Sequence, residues 1–193
     1  MSTVTNVAAG KPKIGGAVYA APVGTTLPTD ATTALAAAFK NLGYVSEDGL
    51  KNALDVEIET VKAWGGDEVL ITNNGKTDTF SYTLLEVLNP DVLKHVYGSA
   101  NVTGDTLASG IALKVNNGDT EDVAMVFELI LRGALKRIVV PRAHVTEVGE
   151  ITYADSNAVG YETTITCQAD AEGNSHYEYI QNAPAATSGG GGG

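Results

Sequence analysis

Apolar and polar residues alternate at period two through much of the chain. In Asp55-Val56-Glu57-Ile58-Glu59-Thr60, Val56 and Ile58 face one way while Asp55, Glu57 and Glu59 face the other. Over 122–131, Val123, Met125, Phe127, Leu129 and Leu131 share a face. Over 159–169, Val159, Tyr161, Thr163, Ile165 and Cys167 do the same, opposite Glu162, Thr164, Thr166 and Gln168. This alternation predicts strands with one buried face, as in antiparallel sheets. Further strands are predicted over 14–20, 67–72, 77–87, 111–116 and 135–148. Asn73-Asn74-Gly75 and Asn116-Asn117-Gly118 offer residues that tolerate positive φ and predict tight hairpin turns. Arg132-Gly133 breaks the long apolar run into two strands.

Period 3.6 emerges in two places. In 89–98, Asn89 is an N-cap, Pro90 suits the first helical position, Asp91 favours the N-terminal dipole and Gly98 suits the C-terminal stop. Val92, Leu93, Val96 and Tyr97 form its apolar stripe, which leaves His95 on the exposed side. A second helix is predicted near 30–42, with Asp30 as cap, Leu35, Ala38, Phe39 and Leu42 as stripe, and Gly43 as terminator. The expected fold is mainly β: an antiparallel sandwich or partly closed barrel with one or two flanking helices.

Composition narrows the function. The 193 residues suffice for one domain with a single sizeable core. Residues 1–12 are small and polar and read as an arm, 13–182 as the β domain, and 183–193 as a flexible Gly-rich tail. With 23 acids against 12 bases the net charge is -11, which opposes gripping nucleic acid through its phosphates. It does not oppose letting DNA pass. The single cysteine, Cys167, allows no internal disulfide, and its place among core residues makes it a buried structural thiol. The N-terminal MSTVTNVAAGKPK lacks the apolar segment of a secretory signal, and no run approaches the roughly 20 apolar residues of a membrane span.

Catalytic chemistry is weakly signalled. Gly75-Lys76-Thr77 ends like a phosphate-binding loop, but the glycine required five residues earlier is Leu70, and the flanks alternate like strands. His95, His144 and His176 are far apart and lack zinc-ligand spacing. A Ser-His-Asp triad can assemble across any fold, yet there is no Gly-x-Ser-x-Gly elbow. The expectation is no enzyme, no cofactor and no metal. Trp64, the only tryptophan, stands at a strand-to-turn junction, where core anchor and contact residue are both open readings. Charge is uneven: Arg132, Lys136, Arg137 and Arg142 cluster, while seven acids and no Lys or Arg follow Arg142. A solvated face explains this; so does a surface that recognises a different surface on a neighbouring copy.

Several segments resemble the major tail tube proteins of siphoviruses, the long-tailed phages. They are Gly43-Tyr-Val-Ser-Glu-Asp-Gly49, KAWGGDEV (62–69), TFSYTLLEVLNPDVLKHVYG (79–98), KRIVVPRAHVTEVGEITY (136–153) and AVGYETTITCQADAEGNSHYEYI (158–180). The resemblance covers most of 43–180 and rests on the order and spacing of these segments. It implies a structural virion protein made in the host cytoplasm, with a fold similar to contractile-tail and type VI secretion tubes. Its subunits would form six-membered rings with a continuous inner β-barrel, stacked around a tape measure protein and ended by tail terminator and baseplate or distal tail proteins. DNA would pass through the lumen without specific binding, and no membrane would be involved. The arm and a long hairpin, here about 47–80, would bridge subunits and rings. On that reading Asp55, Glu57 and Glu59 are lumen-lining candidates, solvent being their other destination. Trp64, Val61, Val69 and Ile71, with Arg132, Lys136, Arg137 and Arg142, are candidates for contacts between subunits or rings. A monomeric β-sandwich adhesion or carbohydrate-binding module is the competing reading, with the same strand pattern and acidity.

Overall fold

The computed structural model describes residues 2–183; the expected Gly-rich tail lies, from residue 184 on, outside them. The strands are β1 (Gly10–Pro12), β2 (Val18–Pro22), β3 (Lys40–Asn41), β4 (Lys51–Lys62), β5 (Glu68–Leu84), β6 (Val102–Thr103), β7 (Ala112–Leu113), β8 (Val123–Leu131), β9 (Ala134–Val148), β10 (Tyr161–Cys167) and β11 (Tyr177–Asn182). The helix α1 (Pro90–Tyr97) follows β5. Nine strands form one antiparallel sheet in the order β3-β2-β8-β9-β10-β5-β4, with β1 also on β8 and β11 also on β9. β6 and β7 pair separately. Among the described residues the fold is mainly β, antiparallel and sandwich-like, with one flanking α-helix, and the sheet does not close into a barrel.

The Arg132-Gly133 break is a two-residue hairpin turn in which both residues have positive φ, 49° and 92°, between paired Leu131 and Ala134. Such a turn matches the twist of the strands it joins. β9 is long enough to carry β8 along one edge, and β10 and β11 end to end along the other. β1 lies within the expected arm and pairs Gly10–Pro12 with Leu129–Leu131, so the sheet begins earlier than the composition suggests.

Phe80, Tyr82, Leu84, Met125, Phe127, Val140 and Ile165 on one face of the sheet pack under Val92, Leu93 and Val96 of α1 and Val102 of β6. On the other face, Ala124, Val126 and Val139 are covered by Phe39, Leu27, Leu35 and Ala36. The alternation over 122–131 is therefore real, but β8 is buried on both faces, because its short intervening residues also meet a covering layer. β10 keeps the expected pattern, with Tyr161, Thr163, Ile165 and Cys167 all buried.

α1 has the predicted ends. Asn89 Oδ1 accepts from the Asp91 N–H at 3.0 Å, Pro90 opens the helix, and Gly98 at φ 89° closes it through a bond to the Lys94 carbonyl. His95 is not on the exposed side. It is buried, its Nε2 is 2.7 Å from the Tyr82 hydroxyl, and desolvation pushes its pKa down to about 4.

The helix expected over 30–42 does not form. Its stripe is divided: Leu35 and Phe39 belong to one face of the sheet and Leu42 to the other, so the chain must cross the sheet edge, which it does through β3. Arg137 also takes the Asp30 and Thr33 carbonyls, each at 2.8 Å, which a helix would need as acceptors. Asp30 caps a turn instead, accepting the Thr32 and Thr33 N–H groups at 2.6 Å.

Neither Asn-Gly segment is a tight hairpin turn. The expected strands 67–72 and 77–87 are one strand, β5, and Asn73-Asn74-Gly75 is a bulge inside it, where Ile58 pairs Asn73 and Glu57 pairs Gly75. Turning at 73–75 would leave β4 without a partner; turning at 63–66 satisfies both strands along their length. Asn116-Asn117-Gly118 lies in the loop between the small sheet and β8, where Asn116 Oδ1 accepts the Gly118 N–H at 2.8 Å. The strand expected over 111–116 shrinks to β7.

Candidate assembly surface

Beyond the point where β10 stops supporting it at Thr79, β5 continues with only β4 beside it. Residues 54–62 and 68–78 make a two-stranded ribbon, exposed throughout except for half-buried Thr60 and, at its foot, buried Asp78. Its tip is a four-residue turn in which Gly66 N–H donates to the Ala63 carbonyl at 3.0 Å and Gly66 has φ 98°. Trp64 sits on this tip with its side chain fully in solvent, at 107% relative exposure. Trp64 is thus no part of this subunit's core.

Directly opposed residues share a face of the ribbon. One face carries Leu54, Val56, Ile58 and Thr60 across from Asp78, Lys76, Asn73 and Ile71. It continues the core-facing side of β5, and beyond the buried Asp78 it leaves Leu54, Val56, Ile58 and Ile71 exposed beside Lys76 and Asn73. The other face carries Asp55, Glu57, Glu59 and Val61 across from Thr77, Gly75, Thr72 and Leu70. The three acids therefore do share one exposed face. The apolar candidates do not: Ile71 lies on the apolar side, Val61 on the acidic side, and Val69 is the extra residue of a bulge opposite Val61 and Lys62. Neither face of the ribbon is buried, although alternation predicted one, since a ribbon projecting from the sheet has no layer to pack on.

The acidic face is continuous with a polar strip on the body. Ser81 meets Thr164 at 3.0 Å and Thr146 meets Thr166 at 3.0 Å, with Glu147 opposite Thr164 and Glu162 opposite Thr83.

The four clustered bases are not one free surface. Arg137 is 2% exposed and bonded to Glu128, whose other oxygen takes Lys13 at 2.6 Å. As a contact residue for a neighbour it is corrected, for its guanidinium is spent inside the subunit. Arg132 donates to the Val4 and Val7 carbonyls at 2.7 and 3.2 Å and so holds the arm. Lys136 pairs with Glu178 at 2.7 Å, and Arg142 lies 3.7 Å from Asp122 on the surface.

At the foot of the ribbon Asp78 is 2% exposed and accepts from Asn52 Nδ2 at 2.8 Å, Ser175 Oγ at 2.6 Å and His176 Nδ1 at 2.5 Å. Desolvation raises its pKa, but the hydrogen bonds from Ser175, His176 and Asn52 outweigh it and hold the carboxyl below its usual range. Serine and histidine both bond to the carboxylate here, so the serine hydroxyl is not presented to the imidazole as a nucleophile would be. His144 Nδ1 is 3.0 Å from Asp122. Burial pushes the Cys167 thiol up to about 12, with the Asp78 charge adding to it, which leaves it unreactive. Among the described residues no group of three or more His, Cys, Asp or Glu side chains is placed to hold a metal ion.

Sequence reasoning missed Leu54 and Leu70, exposed at 55% and 56%, and Asp78. The alternation through 54–60 contained Leu54; nothing local marks Asp78, whose partners lie 26 and nearly 100 residues away.

A family model described as "Phage tail tube protein" matches residues 9–190 of the chain. No curated protein matches it.

Proposed function

The chain belongs to the phage tail tube proteins, and from that premise we propose that it forms six-membered rings that stack into the tail tube of a siphovirus and conduct DNA during genome ejection. Membership makes it a structural component of the virion that assembles with itself. The finer reading is supported above all by the ribbon of β4 and β5, which leaves the body with an apolar face uncovered and Trp64 at its tip.

An exposed apolar surface of this kind marks a contact. The ten residues 68–77 reach roughly 33 Å at about 3.3 Å per residue, far enough to cross onto another copy. Among the described residues β3 and β4 end the sheet order with one edge unpaired, and β11 pairs only β9. Open edges of this length invite pairing with another chain, and closing a ring of copies removes them. The acidic and hydroxyl face would then line the lumen, where Asp55, Glu57 and Glu59 repel phosphate and leave DNA free to slide. A tape measure protein would fill the lumen before DNA, and terminator and baseplate proteins would cap the ends. The arm, held by Arg132, would stay near the ring surface and bridge to a neighbour.

Size-exclusion chromatography with electron microscopy on purified protein tests the reading. Rings or long tubes should appear as concentration rises. A sample that stays monomeric at high concentration, alone and with tail-initiation components, would overturn it.

A further inference from the structure

We propose that the carboxylate of Asp78, gripped by Ser175 and His176, is the anchor that sets the angle at which the hairpin leaves the body, making these three positioning residues for assembly. The consequence for the hairpin stands by itself; the consequence for assembly rests on the tube reading above.

Asp78 marks the boundary between body and ribbon. Every residue of 68–77 is exposed, Asp78 is buried, and Phe80, Tyr82 and Leu84 beyond it are core. Pairing with β10 ends at Thr79, and β11, though in line with β10, pairs only with β9. A two-stranded ribbon without a third strand twists and bends readily. Past Thr79, among the described residues, Ser175 and His176 supply the hydrogen bonds that tie the foot of this ribbon to the rest of the subunit, through the connection between β10 and β11. The tie is bedded firmly. The His176 ring packs T-shaped against Phe80, with centroids 5.3 Å apart at 81°, and its Nε2 is 4.0 Å from Glu178, itself bound to Lys136. Asn52 completes the anchor from the β4 side by donating to both Asp78 and the Thr79 carbonyl. A buried carboxylate is costly unless its partners are present, so the ribbon root has one favoured geometry.

Trp64, the only tryptophan, is a native reporter at the far end. Time-resolved anisotropy of its fluorescence in the monomer reads segmental motion of the hairpin with no label added. In the double variant Ser175→Ala, His176→Gln, the amplitude of the fast segmental decay should at least double while circular dichroism remains native. If tubes form, seeded elongation should also slow by about tenfold, the scale of one lost charge-assisted hydrogen bond. Unchanged anisotropy in a folded variant overturns the anchor, whether or not the wild type polymerises. Changed anisotropy with unchanged elongation overturns its role in assembly. Should the double variant unfold, Ser175→Ala alone carries the same test, with the same signs and smaller changes.

Discussion

His95 and Arg137 show how a single polar side chain becomes part of the interior. Arg137 crosses from β9 to the 30–33 turn and neutralises Glu128, so it does the work of a core residue while looking like a surface base in the sequence. His95 is buried as the neutral imidazole, with Tyr82 as its partner. Its pKa is about 4 in the folded protein against 6.5 for the free side chain. The unfolded chain therefore binds the proton first as pH falls, so the stabilisation is complete above about 6.5 and is lost on descending to about 4. The shift corresponds to roughly 3 kcal/mol. Urea midpoints measured across that window should fall steeply for the wild type, and the slope should flatten in His95→Gln, which can still bond Tyr82. Equal pH slopes in the two proteins would show that His95 is not the group responsible.

At the scale of elements, the hairpin of β4 and β5 is the part of the subunit whose surface makes no sense in isolation. Its tip residue contributes nothing to the core, so Trp64→Ala should leave the monomer melting curve within about 0.5 kcal/mol of wild type, as surface substitutions do. An anchor of this kind at the centre of a contact is worth about 2 kcal/mol, which raises the critical concentration for polymerisation roughly thirtyfold. Melting curves recorded beside filament counts separate the two effects. A collapse of the melting temperature would mean that Trp64 serves the fold; intact assembly would mean that it serves no contact.

For the whole molecule, the excess of acids matters through its placement. Asp55, Glu57 and Glu59 share a ribbon face that runs into the Ser and Thr strip of the body, whereas three of the four clustered bases are spent on the arm, on Glu128 and on Glu178. Assembled wild-type tubes should therefore retain no duplex DNA in a co-sedimentation assay at low salt. Tubes of the triple variant Asp55→Lys, Glu57→Lys, Glu59→Lys should retain it, and added salt should release it, since each phosphate contact displaces counterions. Tubes of the variant that still leave DNA in the supernatant would place these residues away from the lumen.

Alternation and end signals are local properties, and for that reason the sequence by itself determined the antiparallel β class, the strands β8, β9 and β10, the Arg132-Gly133 turn and both ends of α1. It also placed the three acids on one side of β4, because side chains on a strand alternate wherever the strand goes. What lay over each face was decided only by the tertiary structure. The 30–42 segment has a fair helical stripe, but Leu35 and Phe39 were needed on one side of the sheet and Leu42 on the other. Asn73-Asn74-Gly75 has the residues for a turn, but the length of β4 demanded a partner and the turn moved to Gly65-Gly66. The same holds for the candidate surface: Trp64 could be read as core until the ribbon was seen to leave the body, and Asp78 is buried by Ser175 and His176, far along the chain. Burial and long-range hydrogen bonds depend on which distant segments arrive, and no local pattern of residues encodes that arrival.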